Sequence, residues 1–326
     1  MPNHKAVVLV TGSSSGIGLA LVRQLAALPE HYRTVASARS VEKLIAAGLR
    51  ESEHLHFQAM ELTEPDSRRA AFESITQLWG GIDILINNAG ISYRSVVEHL
   101  SEEDVKQQFR TNLFGPLHLI RLCLPHMRNQ RQGRIINVSS VGGMMAMPTM
   151  GLYSSSKFAL EGISEALYYE MKPWGVHVSL VQPGFVRSKS FKNVYISSAA
   201  KDAVEGSKTY ANYYWNMGHF ISHYMNNARA TPEHIAATIL RTIQRRNPPL
   251  RIPASLDARF FTLMTRLVPR ALYHHILYKK LPGIQTWATG DHTALEDSED
   301  LEEILPASST ISQKSSTNAK AGSSQN

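Results

Sequence analysis

Apolar runs of five to eight residues recur through the first 190 residues, and amphipathic segments separate them. The segment after the first run places Ile17, Leu21, Leu25 and Leu28 at helical spacing, which predicts a helix. Six runs are predicted as strands: 6–10, 33–38, 55–60, 83–89, 133–140 and 177–183. Strands that alternate with amphipathic helices predict an α/β fold, a single doubly wound parallel sheet with helices on both faces.

The end of the first predicted strand carries the stretch TGSSSGIG, residues 11–18. Ligands bind a doubly wound sheet at the carboxyl ends of its strands. At a helix N-terminus, unpaired backbone N–H groups and the helix dipole favour a phosphate, and glycines allow a sharp turn and a close approach. The stretch therefore predicts a phosphate-binding loop, and the alternative is a tight turn without a ligand.

The second predicted strand ends at Ala38 and is followed by Arg39, with no carboxylate until Glu42. A carboxylate here would accept hydrogen bonds from a ribose 2′-hydroxyl, whereas an arginine pairs with a 2′-phosphate. The position favours NADP(H) as cofactor, with NAD(H) as the alternative. The non-functional alternative is a solvated surface arginine.

The helical segment after the fifth predicted strand places Tyr153 and Lys157 four residues apart, on one face. Such a pair occurs by chance in many helices. Asn88 with Gly90, and Ser140 with the glycines that follow it, can each be explained as a turn. Their order along the chain is more informative than any one of them.

Taken together, these motifs resemble the short-chain dehydrogenase/reductase family over roughly residues 5–240. Within the family the sequence is most similar to the branch that contains retinol and 17β-hydroxysteroid dehydrogenases. The matching positions, in family order, are Thr11-Gly12-x-x-x-Gly16-x-Gly18, Asn87-Asn88-Ala89-Gly90, Asn112, Ser140, Tyr153, Lys157 and Pro183-Gly184.

The resemblance implies a Rossmann-type fold and an oxidoreductase that transfers hydride between a nicotinamide and a carbonyl or alcohol. Tyr153 would be the general acid in reduction and the base in oxidation. Lys157 would lower the pKa of that tyrosine and hold the nicotinamide ribose. Ser140 would polarise the substrate oxygen, and Asn112 would position a water that relays protons to Lys157.

The resemblance also implies which residues bind the cofactor. They are Gly12, Ser13, Ser14, Ser15, Gly16, Ile17, Gly18, Arg39, Glu61, Leu62, Asn88, Ala89, Gly90, Tyr153, Lys157, Pro183, Gly184, Val186 and Ser188. Glu61 stands where an aspartate near the adenine is usual, and Ser188 stands where a threonine is frequent. No metal ligand is predicted, and a homodimer or homotetramer is expected.

Residues 185–230 are rich in aromatic side chains and fall where the family has a mobile substrate lid. With Ser140 and Tyr153, the predicted substrate-binding residues are Phe185, Tyr214 and Trp215; Tyr210, Met217 and Phe220 are further pocket candidates. This composition favours a small apolar carbonyl or alcohol: a retinoid, a steroid, or a fatty aldehyde or ketone. The alternative is that these side chains pack in the core.

Two other classes of function compete with the enzyme. Because fold does not fix function, the chain could be a catalytically weak cofactor-sensing or scaffold protein, although the complete set of catalytic residues argues against it. Nucleic acid is not an expected partner, because the basic residues at 241–280 alternate with apolar ones and no nucleic-acid motif accompanies them.

The chain has 326 residues and a net charge of +7, and its charge is unevenly distributed. We expect a dehydrogenase domain at 1–250, a basic amphipathic extension at 251–288, and a disordered tail at 289–326 that is first acidic and then serine-rich. Cys123, the single cysteine, is expected in the core of a protein from a reducing compartment. No apolar run is long enough to span a membrane, so a cytoplasmic protein is expected.

The segment 256–281 repeats apolar residues at helical spacing, flanked by cations, until Pro269 breaks the helix. One interpretation is that it covers the substrate pocket or forms a subunit contact. The other is peripheral membrane contact, in which apolar side chains enter the lipid boundary and cations meet anionic headgroups.

Overall fold

The computed structural model describes residues 5–188, 194–206 and 209–288, and its centre is a seven-stranded parallel sheet. The strands are β1 Ala6–Val10, β2 Tyr32–Ala38, β3 Leu55–Ala59, β4 Ile84–Asn87, β6 Gly133–Val138, β7 Val176–Gln182 and β9 Arg251–Pro253. Their order is β3-β2-β1-β4-β6-β7-β9. The order therefore reverses between β1 and β4, where this architecture binds its ligands.

Helices cover both faces of the sheet. One face carries α1 Gly16–Ala26, α2 Val41–Ala46 and α9 Pro232–Gln244, and the other carries α3 Pro65–Trp79, α5 Gly115–Asn129 and α6 Gly151–Met171. The other described helices are α4 Glu102–Phe109, α7 Ser198–Glu205, α8 Ala211–Asn226, α10 Leu256–Leu267 and α11 Arg270–Lys279. The predicted doubly wound α/β fold is confirmed.

The apolar strands separate two cores. On the first face, Leu21 and Leu25 of α1 pack with Ile235 and Ile239 of α9. On the second face, α3, α5 and α6 bury their apolar sides against the sheet, and Cys123 of α5 is fully buried there. Burial raises the pKa of the Cys123 thiol, as expected for a core residue.

Two features of the sheet were not predicted. β9 lies in the segment that was assigned to the extension, and it adds an edge strand beside β7. A separate two-stranded ribbon joins β5 Ser92–Tyr93 to β8 Val194–Tyr195. Strands of two or three residues leave no hydrophobic period in a sequence, so the local pattern could not show them.

The segment after β9 is helical with a break at Pro269, as predicted. α10 ends at Leu267, Val268 is extended, and Pro269 caps the start of α11. The predicted tail, 289–326, and parts of the predicted lid, 189–193 and 207–208, lie outside the described residues.

Candidate active site

The turn after β1 fits closely against the chain that follows β4. A Cβ atom on Gly12 would lie 2.8 Å from the Ala89 Cα, and one on Gly18 would lie 2.3 Å from the Gly12 carbonyl oxygen. Gly12 also has a φ of +70°, in the left-handed region. Glycine is therefore required at both positions, as the predicted phosphate loop needs.

The first turn of α1 is open to a ligand from solvent. Among the described residues, its N-cap Ser15 makes no capping bond, and no acidic side chain occupies the first turn. Ser14 is half-buried and Ser15 is exposed, whereas Ser13 is buried and donates its hydroxyl to the Val10 carbonyl oxygen at 2.8 Å. Of the three predicted serines, Ser14 and Ser15 have hydroxyls near the surface.

The loop after β4 is bonded to this turn. The Asn88 side chain donates to the carbonyl oxygens of Thr11 at 2.9 Å and Gly12 at 3.2 Å. The Thr11 hydroxyl oxygen accepts from the backbone N–H groups of Asn88 and Ala89, both at 3.0 Å. These bonds place Ala89 and Gly90 beside the predicted phosphate loop.

The two residues predicted at the adenosine end lie after β2 and β3. Arg39 is exposed directly after β2, and its guanidinium forms no hydrogen bond or ion pair with the described residues. The Glu61 carboxylate accepts from the Thr63 backbone N–H and hydroxyl, both at 3.0 Å, and the adjacent Leu62 is buried. Arg39 is thus available to a ligand, whereas Glu61 is held by its own turn.

Asn112 lies in a wider, π-type turn, Arg110–Phe114, between α4 and α5. Its side chain is fixed: Oδ1 accepts from the Ile91 N–H at 2.9 Å, and Nδ2 donates to the Ile91 carbonyl at 2.9 Å and the Ser156 hydroxyl at 3.0 Å. A Cβ atom on Gly90 would lie 3.3 Å from Asn112 Oδ1 and 3.7 Å from Lys157 Nζ. Asn112 and Lys157 therefore meet beside Gly90.

Lys157 is buried on α6 and donates from Nζ to the Val138 carbonyl oxygen at 2.8 Å. Its Nζ lies 5.9 Å from the centre of the Tyr153 ring. Burial lowers the pKa of Lys157 to about 8, and the neighbouring Glu161 carboxylate opposes that shift. The lysine is thus close to titration near neutral pH.

Tyr153 lies close to Ser140, the residue predicted to polarise the substrate oxygen. Burial raises the pKa of the Tyr153 phenol, while the Ser140 hydroxyl and the Arg94 guanidinium lower it. The direction is opposite to the lowering that was expected from Lys157, because burial disfavours the phenolate. The four predicted catalytic residues nevertheless converge at the carboxyl ends of β4 and β6.

Arg94 is a charged group at this site that was not predicted. It follows β5, and its backbone N–H donates to the Tyr195 carbonyl oxygen at 2.8 Å. Burial lowers the pKa of Arg94 to about 10, and the Tyr153 phenolate would oppose that shift. An arginine within the otherwise uncharged stretch ISYRSVV was the one local signal.

The loop after β7 holds the predicted residues Pro183, Gly184, Val186 and Ser188, and the start of α10 fixes it. The Gly184 N–H donates to the Ser255 hydroxyl at 2.9 Å, and the Phe185 N–H donates to Asp257 Oδ2 at 2.7 Å. Val186 forms a bridge with Ala230. Ser255 and Asp257 were not predicted, because their contacts join residues about 70 positions apart.

The predicted substrate residues fall into separate groups. Phe185 packs with Met217 and Phe220 in an apolar cluster that also contains Met147 and Met150. Because Met150 directly precedes α6, this cluster lies near the helix that carries Tyr153.

The other candidates lie elsewhere. Tyr214 belongs to a second cluster with Tyr210, and its hydroxyl contacts the Val96 N–H at 3.0 Å and His99 Nδ1 at 2.8 Å. Trp215 is half-buried, with its ring centre 4.7 Å from that of His219. The contacts of Tyr214 are those of a packing residue, and its predicted role in substrate binding stays a prediction.

Comparisons with known proteins show the family and the fold. The sequence model of the short chain dehydrogenase family matches residues 6–199. The chain is 35% identical to 3-ketodihydrosphingosine reductase of Bacteroides thetaiotaomicron, over 75% of this chain and 86% of that protein. It is 31% identical to retinol dehydrogenase 8 of Bos taurus, over 77% of this chain and 82% of that protein. A metagenomic short-chain oxidoreductase solved with NADP superposes with a TM-score of 0.58 at 25% identity, covering 76% of this chain and 96% of that one.

Proposed function

Because the chain belongs to the short-chain dehydrogenase family, we propose that it is an NADP(H)-dependent oxidoreductase acting on an apolar carbonyl or alcohol. The observation that carries the proposal is the convergence of Ser140, Tyr153, Lys157 and Asn112 beside the glycine turn. Four polar side chains from three elements meet there, two of them buried, and each would have a role in carbonyl chemistry.

The cradle between Gly12, Gly18 and Ala89 fits a dinucleotide, since its backbone approaches too closely for any side chain. The N-terminus of α1 would hold the pyrophosphate, and Tyr153 and Lys157 would hold the nicotinamide ribose. A bound nicotinamide supplies the hydride in reduction and accepts it in oxidation. Pro183, Gly184 and Val186 would border the ring, on the loop that Ser255 and Asp257 fix.

The protein's own residues would handle the proton. Ser140 and the Tyr153 hydroxyl would both donate hydrogen bonds to the substrate oxygen, which stabilises the charge that develops on it. In reduction Tyr153 would release its proton to that oxygen, and Arg94 and Lys157 would stabilise the resulting phenolate. Asn112 Oδ1 has a second lone pair, with which it would position the water that returns a proton through Lys157.

The test is loss of NADPH absorbance on addition of a carbonyl, with Tyr153→Phe as the blank. A screen of retinoids, steroids and fatty aldehydes and ketones with both cofactors identifies the substrate. We expect apolar substrates because Phe185, Met217 and Phe220 cluster near Tyr153, and the names of two relatives, a ketodihydrosphingosine reductase and a retinol dehydrogenase, fit that class. NADPH binding without turnover of any carbonyl would favour the cofactor-sensing alternative.

Arg39 supports the choice of NADP(H) over NAD(H), since its exposed guanidinium follows β2. Replacing it by alanine should weaken NADPH binding by about 1.5–3 kcal/mol, the range for hydrogen bonds to charged groups, and change NADH binding much less. Titration calorimetry with both cofactors measures this difference. Equal losses for the two cofactors would make Arg39 a structural residue, and a wild type that prefers NADH would contradict the assignment.

We also propose that the enzyme contacts membranes peripherally through α10 and α11. Of the described helices, none is long and apolar enough to cross a membrane. α10 instead exposes Leu256, Phe260, Leu263 and Leu267, which are 64%, 57%, 56% and 71% accessible and lie on one side of the helix. We call these four residues the apolar stripe.

Cations border the apolar stripe and extend along α11. Arg259, Arg266, Arg270, Lys279 and Lys280 are all exposed, and the nearby carboxylate, Asp257, points inward to the Phe185 N–H. Each cation near an anionic bilayer contributes about 1 kcal/mol. The alternative interpretation, in which these helices cover the substrate pocket, accounts for their buried residues, such as Ala258 and Tyr273. It does not account for the exposure of the apolar stripe.

Sedimentation with lipid vesicles tests the membrane contact. The intact protein should sediment with phosphatidylserine-containing vesicles at low salt, bind phosphatidylcholine vesicles much less, and be released by high salt. No sedimentation with anionic vesicles would overturn the membrane contact. We expect a homodimer or homotetramer. If substitutions in the apolar stripe change the molar mass measured by light scattering, the stripe is a subunit contact instead.

A further inference from the structure

The Glu161 carboxylate lies on α6, one turn after Lys157, and is buried. Oε1 accepts from the Ser139 hydroxyl at 2.8 Å and from Gln182 Nε2 at 2.7 Å. Oε2 accepts from Arg251 Nε at 3.2 Å. One carboxylate thus joins the catalytic helix to the end of β6, the end of β7 and the edge strand β9.

Two of these partners directly precede residues of the candidate site. Ser139 precedes Ser140, and Gln182 precedes the Pro183-Gly184 loop. The 3₁₀ turn after Ser140 also lies against the carboxylate: a Cβ atom on Gly143 would be 2.8 Å from Glu161 Oε1. A displaced Glu161 carboxylate would therefore move both loops that border the reacting groups.

The charges around this carboxylate form a short chain along and across α6. Lys157 faces Tyr153 on one side and Glu161 on the other, and Arg94 faces Tyr153 from the β5 loop. Arg251 of β9 faces Glu161 and also donates to Glu165 Oε2 at 2.9 Å. Glu165, one turn further along α6, is half-buried, with 44% of its side chain exposed.

We propose that Glu161 is a positioning residue, whose buried carboxylate one turn from Lys157 keeps that ammonium charged and holds the Ser139 and Gln182 ends of two site loops. Arg251 weakens the effect of the Glu161 carboxylate on Lys157, because the guanidinium partly neutralises that carboxylate. The inference rests on the proposed function, because the proposed function gives the Tyr153–Lys157 pair its reactive role.

The sign of the effect does not depend on which group of the pair releases its proton. Loss of the Glu161 charge removes a nearby negative charge, so the apparent pKa of the Tyr153–Lys157 pair falls. Without the Arg251 charge, the Glu161 carboxylate is no longer partly neutralised, so the apparent pKa of the Tyr153–Lys157 pair rises. A variant that only damages packing has no reason to produce these two opposite shifts.

The experiment compares Glu161→Gln and Arg251→Met in the full chain, with Glu165→Gln as the matched control and Glu161→Asp as the charge-retaining variant. NADPH binding is followed by the fluorescence of the bound nucleotide across the alkaline range, and kcat/KM is followed for reduction of all-trans-retinal. Circular dichroism melting establishes that each variant is folded. The binding measurement needs no carbonyl substrate.

In both measurements, the alkaline limb should move to lower pH in Glu161→Gln and, by a smaller amount, to higher pH in Arg251→Met, because Arg251 acts on the pair only through the Glu161 carboxylate. Glu161→Asp should keep the wild-type limb, whereas Glu165→Gln, which leaves Arg251 to Glu161 alone, should move it lower by much less than Glu161→Gln does. If Glu161→Gln does not fold, the direction of the Arg251→Met shift decides.

The proposal is overturned if Glu161→Gln lowers NADPH binding and kcat/KM by the same factor at every pH, without moving the alkaline limb. It is overturned as well if Glu165→Gln moves that limb as far as Glu161→Gln does. It is also overturned if Arg251→Met moves the limb lower. A wild type that binds NADPH but reduces no carbonyl is a different result: it contradicts the proposed function, while the binding limb still tests Glu161.

Discussion

Helices α6 and α10 depart from the ordinary amphipathic pattern in opposite directions. α6 turns Lys157, Glu161 and Ser164 toward the sheet, where all three are buried. α10 turns the apolar stripe toward solvent, while Thr262 and Thr265 lie on its partly buried side.

The difference between them lies in how the misplaced groups are satisfied. The buried polar groups of α6 have partners within the protein: Lys157 bonds Val138, Glu161 bonds three side chains, and Ser164 accepts from Asn137 at 2.8 Å. The apolar stripe has no cover among the described residues. A buried polar group whose hydrogen bonds are satisfied indicates a role within the protein. An exposed row of apolar side chains indicates a binding partner outside it.

The largest expected effect tests the chemistry of α6. Tyr153→Phe should lower kcat by about 10²–10⁴-fold, the usual contribution of a general acid, and leave NADPH affinity nearly unchanged. Steady-state kinetics and nucleotide fluorescence measure the two quantities. Residual turnover above a tenth of wild type would remove Tyr153 from its role.

Lys157→Met sharpens the comparison, because it replaces a buried charge with hydrocarbon. We expect turnover to fall about 10²-fold and NADPH to bind more weakly, while the free energy of unfolding stays the same or rises. Denaturant titration measures the stability. A large loss of stability together with normal turnover would make Lys157 structural.

The same variant gives a signed pH dependence. Burial lowers the pKa of Lys157 to about 8 in the folded protein, against 10.5 for the ordinary side chain. Between these values the unfolded chain binds more protons than the folded one, so stability from this group rises with pH. The stability of the wild type relative to Lys157→Met should therefore increase as the pH rises through that range. A difference in denaturation midpoints that stays constant over the range would contradict a buried lysine that titrates there.

A third test concerns α10 alone. The combined change Phe260→Ser, Leu263→Ser and Leu267→Ser should reduce partition onto anionic vesicles by at least about tenfold, because apolar area no longer enters the lipid. Turnover of a water-soluble carbonyl should not change. The control replaces exposed apolar residues elsewhere, Ile45, Leu78 and Val105, by serine, and an equal loss of binding there would contradict a specific surface.

The smallest expected effect is on stability. Leu263→Ala should change the free energy of unfolding by less than about 0.5 kcal/mol, because its side chain is mostly in water already. Leu160→Ala on α6, where the leucine is 2% exposed, should cost about 2–5 kcal/mol. Equal costs, measured by urea denaturation, would show that the stripe is covered in solution.

The fold could be predicted from local patterns, because each apolar run and each amphipathic segment lies within about one element. The candidate site followed instead from the resemblance, in which the order of the motifs along the chain is more informative than any one of them. Arg94, Ser255 and Asp257 could not be predicted, since their contacts join distant parts of the chain. The exposure of the apolar stripe was equally hidden, because the same periodicity fits a buried or an exposed helix face.

The bonds from Ser255 and Asp257 to Gly184 and Phe185 determine where the chain can be shortened. Removing everything after residue 250 would delete the helices proposed to contact the membrane, but also β9 and both hydrogen bonds that hold the loop bordering the proposed nicotinamide site. Loss of activity in such a fragment would say nothing about lipid. A fragment meant to keep this loop in place must retain Ser255 and Asp257, and the proposed membrane contact is better removed by substituting the outer side of α10 than by cutting the chain.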